Sequence, residues 1–245
     1  MDVHKFRCDQ IAFDAGRKAN SKIDPVGDEV EILIAASRKE KVEDRVAIAE
    51  AAGLKPRVMD IESYATQEAF RLIAPSLPAN GRDQNIALVD IGAHVTHFYV
   101  LRNNQFLFSR DQAFGGNQLT LDIQRAFNLS VEEAESAKKN QGLPENYDND
   151  VLQPFMETLA LEITRALQFF FTSTSYNQVD QIVLSGGCAL LPGLDELVAK
   201  RAGVATVVGN PFANMQTSDR IRPRQLAQDA PLLLIATGLA LRSFE

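Results

Sequence analysis

The sequence predicts an α/β protein with a sizeable hydrophobic core. Short β-rich runs alternate with amphipathic helical patterns, hydrophobic residues make up 45% of the 245 residues, and charged residues make up 23%. This mixture is typical of globular proteins and too apolar for intrinsic disorder. The formal net charge of −7 argues against a nucleic-acid-binding protein, because phosphate contacts need a concentrated basic face.

The distribution of cysteines and apolar residues indicates a cytoplasmic protein. Cys8 and Cys188 are too few for a disulfide framework or a metal cluster, which favours a reducing compartment. The first ten residues lack the apolar core of a secretory signal. The most apolar stretch, 230–241, is shorter than the roughly 20 residues that a bilayer crossing needs. We therefore expect no direct membrane span and predict a buried helix there.

The first part of the chain has a strand–helix–strand–helix pattern. The elements are a strand at 30–36, a helix at 41–52, a strand at 56–61 and a helix that begins at Glu62. Apolar residues at every third or fourth position predict the helices. Residues 75–85 hold two prolines, a glycine and no periodicity, which is typical of a boundary. We predict a first domain over 1–80, built on this βαβα unit, and a second over 84–245.

The second domain is predicted to combine an antiparallel meander, inserted helices and a parallel β-α-β return. The predicted strands are 86–91, 95–101, 105–109, 181–184 and 204–208. The predicted helices are 117–127 with Asn117 as its cap, 130–139 with a Ser130–Glu133 capping box, a long helix from Pro154, 194–202, and 230–241 with Asp229 as its cap. The long helix carries an apolar stripe that indicates a core position.

A carboxylate followed by a glycine turn is the first motif with chemical meaning. In the run Val89-Asp90-Ile91-Gly92-Ala93-His94, Gly92 lets backbone N–H groups face outward, where they can bind phosphate oxygens. Asp90 can hold Mg²⁺ or its waters, because a hard cation prefers oxygen ligands. The alternative is a simple hairpin turn.

About ninety residues later, Ser185-Gly186-Gly187-Cys188 joins a strand to a helix. Paired glycines let the backbone approach a flat ring or a phosphate without an intervening Cβ. The alternative is a tight turn without a ligand. The order of this motif and the Asp90 turn, combined with a further helix at Glu62, favours a shared site.

These motifs resemble those of the actin-like ATPases, the superfamily of RNase H-like fold that includes heat-shock chaperones and sugar kinases. The Asp90 turn is similar to their second phosphate loop, and 185–187 is similar to their adenosine loop. Residues 60–65 resemble the first connecting helix, in which Glu62 matches the polar residue that orients the attacking water, and 230–241 resembles the second. The resemblance implies an actin-like fold with an incomplete first lobe and a complete second lobe.

A finer resemblance is to the PilM family of type IV pilus assembly proteins, which we prefer to the related FtsA family. It extends from about residue 30 to the C-terminus and rests on the segments 114–120, 131–139, 152–155, 167–171 and 238–244. Within it, Glu135 and Lys138 match a helix whose side chains contact ribose and adenine. Glu135 can accept from ribose hydroxyls, and the alternative is an exposed ion pair that contributes little.

The resemblance implies ATP and Mg²⁺ as cofactors. Glu62 and Asp90 are the expected catalytic residues, and Asp90 is also the expected metal ligand. The expected nucleotide-binding residues are Gly92, Ala93, His94, Thr96, Gly115, Gly116, Glu135, Lys138, Gly186, Gly187 and Cys188. The imidazoles of His94 and His97 are interpreted as solvated or hydrogen-bonded side chains of the meander.

The sequence departs from the superfamily pattern in two places. Many relatives have a second glycine and a threonine where this chain has His94 and Val95, so the nearest hydroxyl is one position later, at Thr96. The first phosphate loop is not found in residues 1–29. We therefore expect a chain without the leading subdomain and with weak or absent hydrolysis, because phosphoryl transfer needs donors and a cation around the transferred group. Apolar surface at the missing contact would favour self-association.

The family resemblance implies a scaffold of the type IV pilus inner-membrane complex, active in pilus biogenesis and twitching motility. Its expected partner is the N-terminal cytoplasmic tail of PilN, docked as an extended peptide, which would hold the protein at the inner membrane. One alternative is a small-molecule kinase or phosphatase, for which Glu62 is the only strong candidate base. The other is an FtsA-like division scaffold, which would have a C-terminal amphipathic membrane helix that 241–245 does not provide.

Overall fold

The computed structural model describes residues 37–140 and 142–241. They fall into two units, 37–61 and 62–241 without residue 141. The first unit contains one helix, α1 (Lys39–Ala51), which confirms the prediction and is followed by Gly53 in a left-handed conformation with φ of +75°. The predicted strand at 30–36 lies outside the described residues.

The predicted strand at 56–61 is wrong. Residues 54–61 have no regular secondary structure. A strand is defined by its ladder of hydrogen bonds to a neighbour, and these residues have no such neighbour in the described part of the chain. Local sequence alone could indicate an extended backbone but not a pairing partner.

The second unit is a five-stranded mixed sheet with helices packed on both faces. Its strands are β1 (Asn85–Ile91), β2 (Thr96–Arg102), β3 (Gln105–Gln112), β4 (Gln181–Ser185) and β5 (Thr206–Val208), in the order β3-β2-β1-β4-β5. Its helices are α2 (Glu62–Ile73), α3 (Gly116–Phe127), α4 (Val131–Asn140), α5 (Gln153–Ser173), α6 (Leu194–Ala202), α7 (Pro223–Asp229) and α8 (Leu234–Ala240). The meander and the parallel return are confirmed.

The core lies on both sides of β1, every residue of which is buried. Its alternate side chains contribute to two hydrophobic clusters: Ala87 and Val89 pack with α5, while Ile86 and Leu88 pack with α2 and α8. The apolar stripe on α5 is buried in the first cluster, as predicted. A strand that is buried on both faces has apolar residues at successive positions. This explains why polar and apolar residues do not alternate along β1.

The central strand also places the two glycine motifs at one edge of the sheet. β1 pairs in parallel with β4 and antiparallel with β2, so Asp90 lies beside Ser185 on one side and His97 on the other. The carboxyl ends of parallel strands lie at the same edge. The turns after Ile91 and Ser185 therefore leave the sheet next to each other.

The helices α2 and α8 cross with their backbones in contact. A Cβ at Gly238 would lie 1.7 Å from the carbonyl oxygen of Ala65, so only glycine fits at this crossing. These are the two segments that resemble the connecting helices of the actin-like superfamily. Their contact covers the face of the sheet that carries Ile86 and Leu88.

Three boundaries differ from the predictions. Gly115, not Asn117, is the N-cap of α3. The predicted helix at 230–241 is instead a 3₁₀ turn (Ala230–Leu233) followed by α8, and Asp229 ends α7, a helix that was not predicted from the sequence. Residues 75–85 include two 3₁₀ turns within the second unit.

The division into lobes near residues 80–84 stays a prediction.

The capping box at the start of α4 is confirmed, since Ser130 N–H donates to Glu133 at 2.8 Å and Glu133 N–H donates to Ser130 at 3.2 Å. Among the helices in the described ranges, none has the length and apolarity to span a bilayer.

Candidate functional site

Asp90 is a buried carboxylate at the end of β1. The residue is only 7% exposed, and its Oδ1 accepts a hydrogen bond from Ser185 Oγ at 3.0 Å. Burial raises the pKa of Asp90, although the Ser185 hydrogen bond and His97 act in the opposite direction. The second carboxylate oxygen has no hydrogen-bond donor among the described residues and is free to bind a ligand.

The turn after β1 presents backbone donors at the surface. Gly92 N–H is not one of them, because it donates to Val95 O across the turn at 3.0 Å. The next two residues, Ala93 and His94, are exposed, and no acceptor for their N–H groups occurs in the described part of the chain. Two adjacent free N–H groups beside a carboxylate can bind an anion together with its cation.

Gly115 and Gly116 are buried and pack against this turn. A Cβ at Gly115 would lie 2.5 Å from Gly92 O and 2.6 Å from Ala93 O. Gly116 N–H donates to Gly92 O at 2.9 Å, and Asn117 N–H donates to Ala93 O at 2.8 Å. Both glycines are buried, so they fix the turn in place and do not present an open surface to a ligand.

The second glycine pair lies directly against the first turn. Gly186 has a φ of +83°, and a Cβ there would lie 2.3 Å from Ile91 O. Gly187 is exposed, and the nearest atom to its Cβ position is in Leu232 at 3.9 Å. Gly186 is thus required by backbone packing, whereas Gly187 faces open space. The two predicted glycine bends converge on one surface.

Cys188 connects this loop to α3 and α4. Its Sγ lies 3.0 Å from the Cβ position of Gly116. Burial raises the pKa of the Cys188 thiol to about 11. Of the nearby charges, Lys138 lowers this pKa and Glu135 raises it, and both effects are smaller than that of burial. The thiol is therefore a neutral packing group at neutral pH and not a nucleophile.

Glu135 and Lys138 form a half-buried network and not an exposed ion pair. Lys138 Nζ donates to Glu135 Oε1 at 2.6 Å, to Thr120 Oγ1 at 2.7 Å and to Gly116 O at 3.5 Å. Burial acts to raise the pKa of Glu135, but the hydrogen bonds from Lys138 and Thr120 outweigh it and lower the pKa. The carboxylate is therefore held ionised beside the glycine turns.

Glu62 lies at the other end of the site, next to a histidine. Its Oε1 is 3.4 Å from His97 Nε2, and Asp111 Oδ1 is 2.8 Å from His97 Nδ1. His97 also stacks on Tyr99, whose pKa is raised by burial and by the nearby carboxylates. His97 is thus a hydrogen-bonded strand residue, in agreement with its interpretation from sequence.

Thr96 is placed differently from expectation, whereas the His94 ring is solvated as interpreted from sequence. The Thr96 hydroxyl is buried and donates to Phe114 O at 2.8 Å, so it faces the protein and not the turn surface. The His94 ring is exposed beside Asn117, with 3.2 Å between Nδ1 and the amide nitrogen. Sequence spacing identified neither Thr120 nor Asp111, because their roles depend on contacts between separate elements.

The site fits a magnesium nucleotide by the chemistry of its donors. Mg²⁺ is commonly held by one or two carboxylates, waters and phosphates, and one oxygen of Asp90 is free for this purpose. The described residues contain no group of three or more His, Cys, Asp or Glu side chains that could hold a metal alone. Depressions of about 210 Å³ beside Phe114 and about 360 Å³ beside Phe70 lie elsewhere. The candidate site is an exposed set of loops and not an enclosed cavity.

Comparison with known proteins identifies the family. The pattern of the family described as type IV pilus assembly protein PilM matches residues 4–244. The chain belongs to the PilM family. A chain of a solved PilM-PilN type IV pilus biogenesis complex is 30% identical, with a TM-score of 0.71, over 84% of this chain and 58% of that chain.

The chain is also similar to proteins outside this family. The ethanolamine utilization protein EutJ of Escherichia coli K12 is 26% identical over 152 residues, which are 61% of this PilM-family chain and 51% of EutJ. MreB 5 of Spiroplasma citri, solved with AMPPNP, is 16% identical with a TM-score of 0.51, over 84% of this chain and 65% of that chain. The chain has the actin-like ATPase fold and spans about half to two thirds of these proteins.

Proposed function

We propose that this PilM-family chain is an ATP-binding scaffold of the type IV pilus inner-membrane complex that binds the N-terminal cytoplasmic tail of PilN. One observation carries the nucleotide part of the proposal: the bends at Gly92 and Gly187 converge on one surface with Asp90 and the Glu135–Lys138 pair. MreB 5, which shares the fold, was solved with an ATP analogue. Backbone donors, a free carboxylate oxygen and an open glycine are the groups that such a ligand needs.

The triphosphate is proposed to lie on the exposed turn after β1. Its oxygens would accept hydrogen bonds from the N–H groups of Ala93 and His94, and the free oxygen of Asp90 would hold Mg²⁺ or its waters. When bound, Mg²⁺ supplies positive charge that neutralises the phosphates. The chain's own part is to keep Asp90 buried and oriented through Ser185.

The adenosine is proposed to lie between the Gly187 loop and α4. Gly187 leaves room for a flat ring, Leu232 is 53% exposed next to it, and Glu135 can accept from a ribose hydroxyl. Glu62, the proposed water-orienting residue, is 3.4 Å from His97.

Nucleotide binding can be tested by calorimetric titration of ATP with Mg²⁺. Gly187→Val places a branched side chain in the space proposed for the base, whereas Gly142→Val adds the same side chain at another open glycine. We expect binding to the wild type and to Gly142→Val, and at least about a tenfold loss for Gly187→Val, which corresponds to 1.4 kcal/mol. Equal affinity of all three proteins, or no binding to the wild type, would refute the site.

The proposed PilN interaction rests on the family and on the 30% identical PilM chain in the PilM-PilN complex. Binding to a membrane component would hold the chain at the inner membrane through its partner. Fluorescence anisotropy with a labelled peptide of the PilN N-terminus, against a scrambled peptide of equal composition, tests it. Equal binding of both peptides would refute a specific interaction. Self-association stays a prediction that sedimentation velocity would test.

A further inference from the structure

The buried hydroxyl of Thr120 lies at the centre of the half-buried hydrogen-bond network that links α3 to α4. It donates to Glu135 Oε1 and accepts from Lys138 Nζ at 2.7 Å. Lys138 donates to the same Oε1 at 2.6 Å. Thr120 is only 4% exposed, so water does not compete well for these bonds. The network therefore fixes the orientation of the Glu135 carboxylate.

The network binds one carboxylate oxygen of Glu135, Oε1, and makes no hydrogen bond to the other, Oε2. A carboxylate oxygen accepts about two hydrogen bonds, and both donors of the network bind Oε1. In the described part of the chain, the cation nearest to Oε2 is Lys139 Nζ, at 3.8 Å, which is beyond hydrogen-bond distance. Oε2 is thus the oxygen that can accept from a ligand.

The ammonium group of Lys138 is used within the protein. A protonated lysine has three N–H donors, and Nζ has three acceptors: Glu135 Oε1, Thr120 Oγ1 and Gly116 O. This arrangement differs from the expectation that Lys138 itself contacts the ligand. Its position indicates a role in holding Glu135.

We propose that Thr120 is a positioning residue that, together with Lys138, orients Glu135 so that Oε2 accepts a hydrogen bond from a ribose hydroxyl of the bound nucleotide. The inference rests on the proposed nucleotide binding and adds the determinant of ribose recognition. Thr120 does not touch the ligand. Its removal should therefore weaken only the interaction that Glu135 makes with the ribose.

The test compares ATP, 2′-deoxy-ATP and 3′-deoxy-ATP by calorimetry. The wild type is expected to bind one deoxy analogue about tenfold more weakly than ATP, the usual effect of a lost hydrogen bond to a charged group. Thr120→Val should weaken ATP binding by a similar factor, but it should leave the affinity for that deoxy analogue unchanged. Thr120→Ser, which keeps the hydroxyl, should restore ATP affinity.

A matched control and a second variant complete the design. Thr164→Val removes a half-buried hydroxyl that donates to Ala160 O at 2.8 Å on α5, and it should change no affinity. Lys138→Met removes the other donor to Oε1 and should also abolish the discrimination, which keeps the test valid if Thr120→Val does not fold.

The possible outcomes separate the two proposals. Two results would overturn the role of Thr120 while ATP binding stands. In the first, Thr120→Val or Lys138→Met weakens the binding of ATP and of both analogues by the same factor. In the second, these substitutions do not weaken ATP binding. A wild type that binds ATP and both analogues equally would also overturn that role. A wild type that binds no ATP would overturn the proposed nucleotide site and this inference with it.

Discussion

Ser185 donates a hydrogen bond to Asp90 across the parallel pair β1–β4, with 3.0 Å between the two oxygens. The bond joins the residue that precedes the Gly186 loop to the carboxylate that precedes the Gly92 turn. Because both residues are buried, this bond keeps the two loops in a fixed relationship. The candidate site is thus preorganised by the sheet and not assembled from mobile loops.

Replacement of Asp90 by asparagine should stabilise the folded protein at pH 7. Burial raises the pKa of Asp90, so the folded state binds its proton more tightly than the unfolded chain does. The favourable contribution of this carboxyl is therefore present at low pH and is lost as the pH rises from its ordinary value of 3.8 through the raised pKa. We expect Asp90→Asn to gain about 1 kcal/mol at pH 7, a typical value for a buried polar group.

Urea unfolding at several pH values measures this effect. The gain of Asp90→Asn over the wild type should shrink as the pH falls through the raised pKa towards 3.8, and it should be absent at lower pH, where the carboxyl is protonated in both states. Asp219→Asn, at an exposed position, is the matched control and should show little change. A gain that grows towards low pH would contradict a raised pKa of Asp90 in the folded state.

Alanine should strongly destabilise the protein at Gly186 and leave its stability almost unchanged at the neighbouring Gly187. At Gly186 it would meet Ile91 O at 2.3 Å and adopt a φ of +83°, so we expect a loss of about 3 kcal/mol or more. At Gly187 the Cβ meets only Leu232, at 3.9 Å, and we expect stability within about 0.5 kcal/mol of the wild type. Thermal and urea unfolding compare the two variants. Similar losses for both would disprove the assigned packing.

Gly238→Ala should separate α2 from α8. The new Cβ would lie 1.7 Å from Ala65 O, a distance that only a shift of one helix can relieve. We expect a loss of about 3 kcal/mol or more in unfolding free energy. Gly142→Ala, where no atom lies within 4 Å of the Cβ position, is the control. A Gly238→Ala protein as stable as this control would show that the helices do not cross at Ala65.

Cys188 should react slowly with alkylating reagents. A pKa of about 11, against an ordinary 9.0, lowers the thiolate fraction at neutral pH about 100-fold. Iodoacetamide kinetics on a Cys8→Ser variant, followed by mass spectrometry, isolate this thiol. We expect a rate about 100-fold below that of an unstructured cysteine peptide. A rate similar to the peptide's would mean that the loop opens or that the thiol is not buried.

Local patterns predicted much of the second unit. The meander, the capping box of α4 and the apolar stripe of α5 depend on residues close in sequence, and all three are present. A shared site for the two glycine bends was expected from the order of the motifs and from the family resemblance, and the structure adds that β1 and β4 run parallel and end at one edge of the sheet. The structure explains the glycines further: Gly115 and Gly186 permit backbone packing, whereas Gly187 is open.

Contacts between distant segments could not be predicted. Pro231 O accepts from Gly186 N–H at 2.9 Å, and the segment around it forms a 3₁₀ turn where the sequence suggested a continuous helix. Asn117 N–H donates to Ala93 O, and α3 begins before Asn117. The Thr120 network likewise depends on how α3 packs on α4. In each case a tertiary hydrogen bond determines the outcome, and local propensity carries no information about it.

The most direct test of the proposed site is a crystal structure of this chain with Mg²⁺ and a non-hydrolysable ATP analogue. We expect the phosphates at the N–H groups of Ala93 and His94, the metal on the Asp90 side, the ribose at Glu135 and the base over Gly187. A nucleotide bound at another surface, or no bound nucleotide at saturating concentration, would contradict this site.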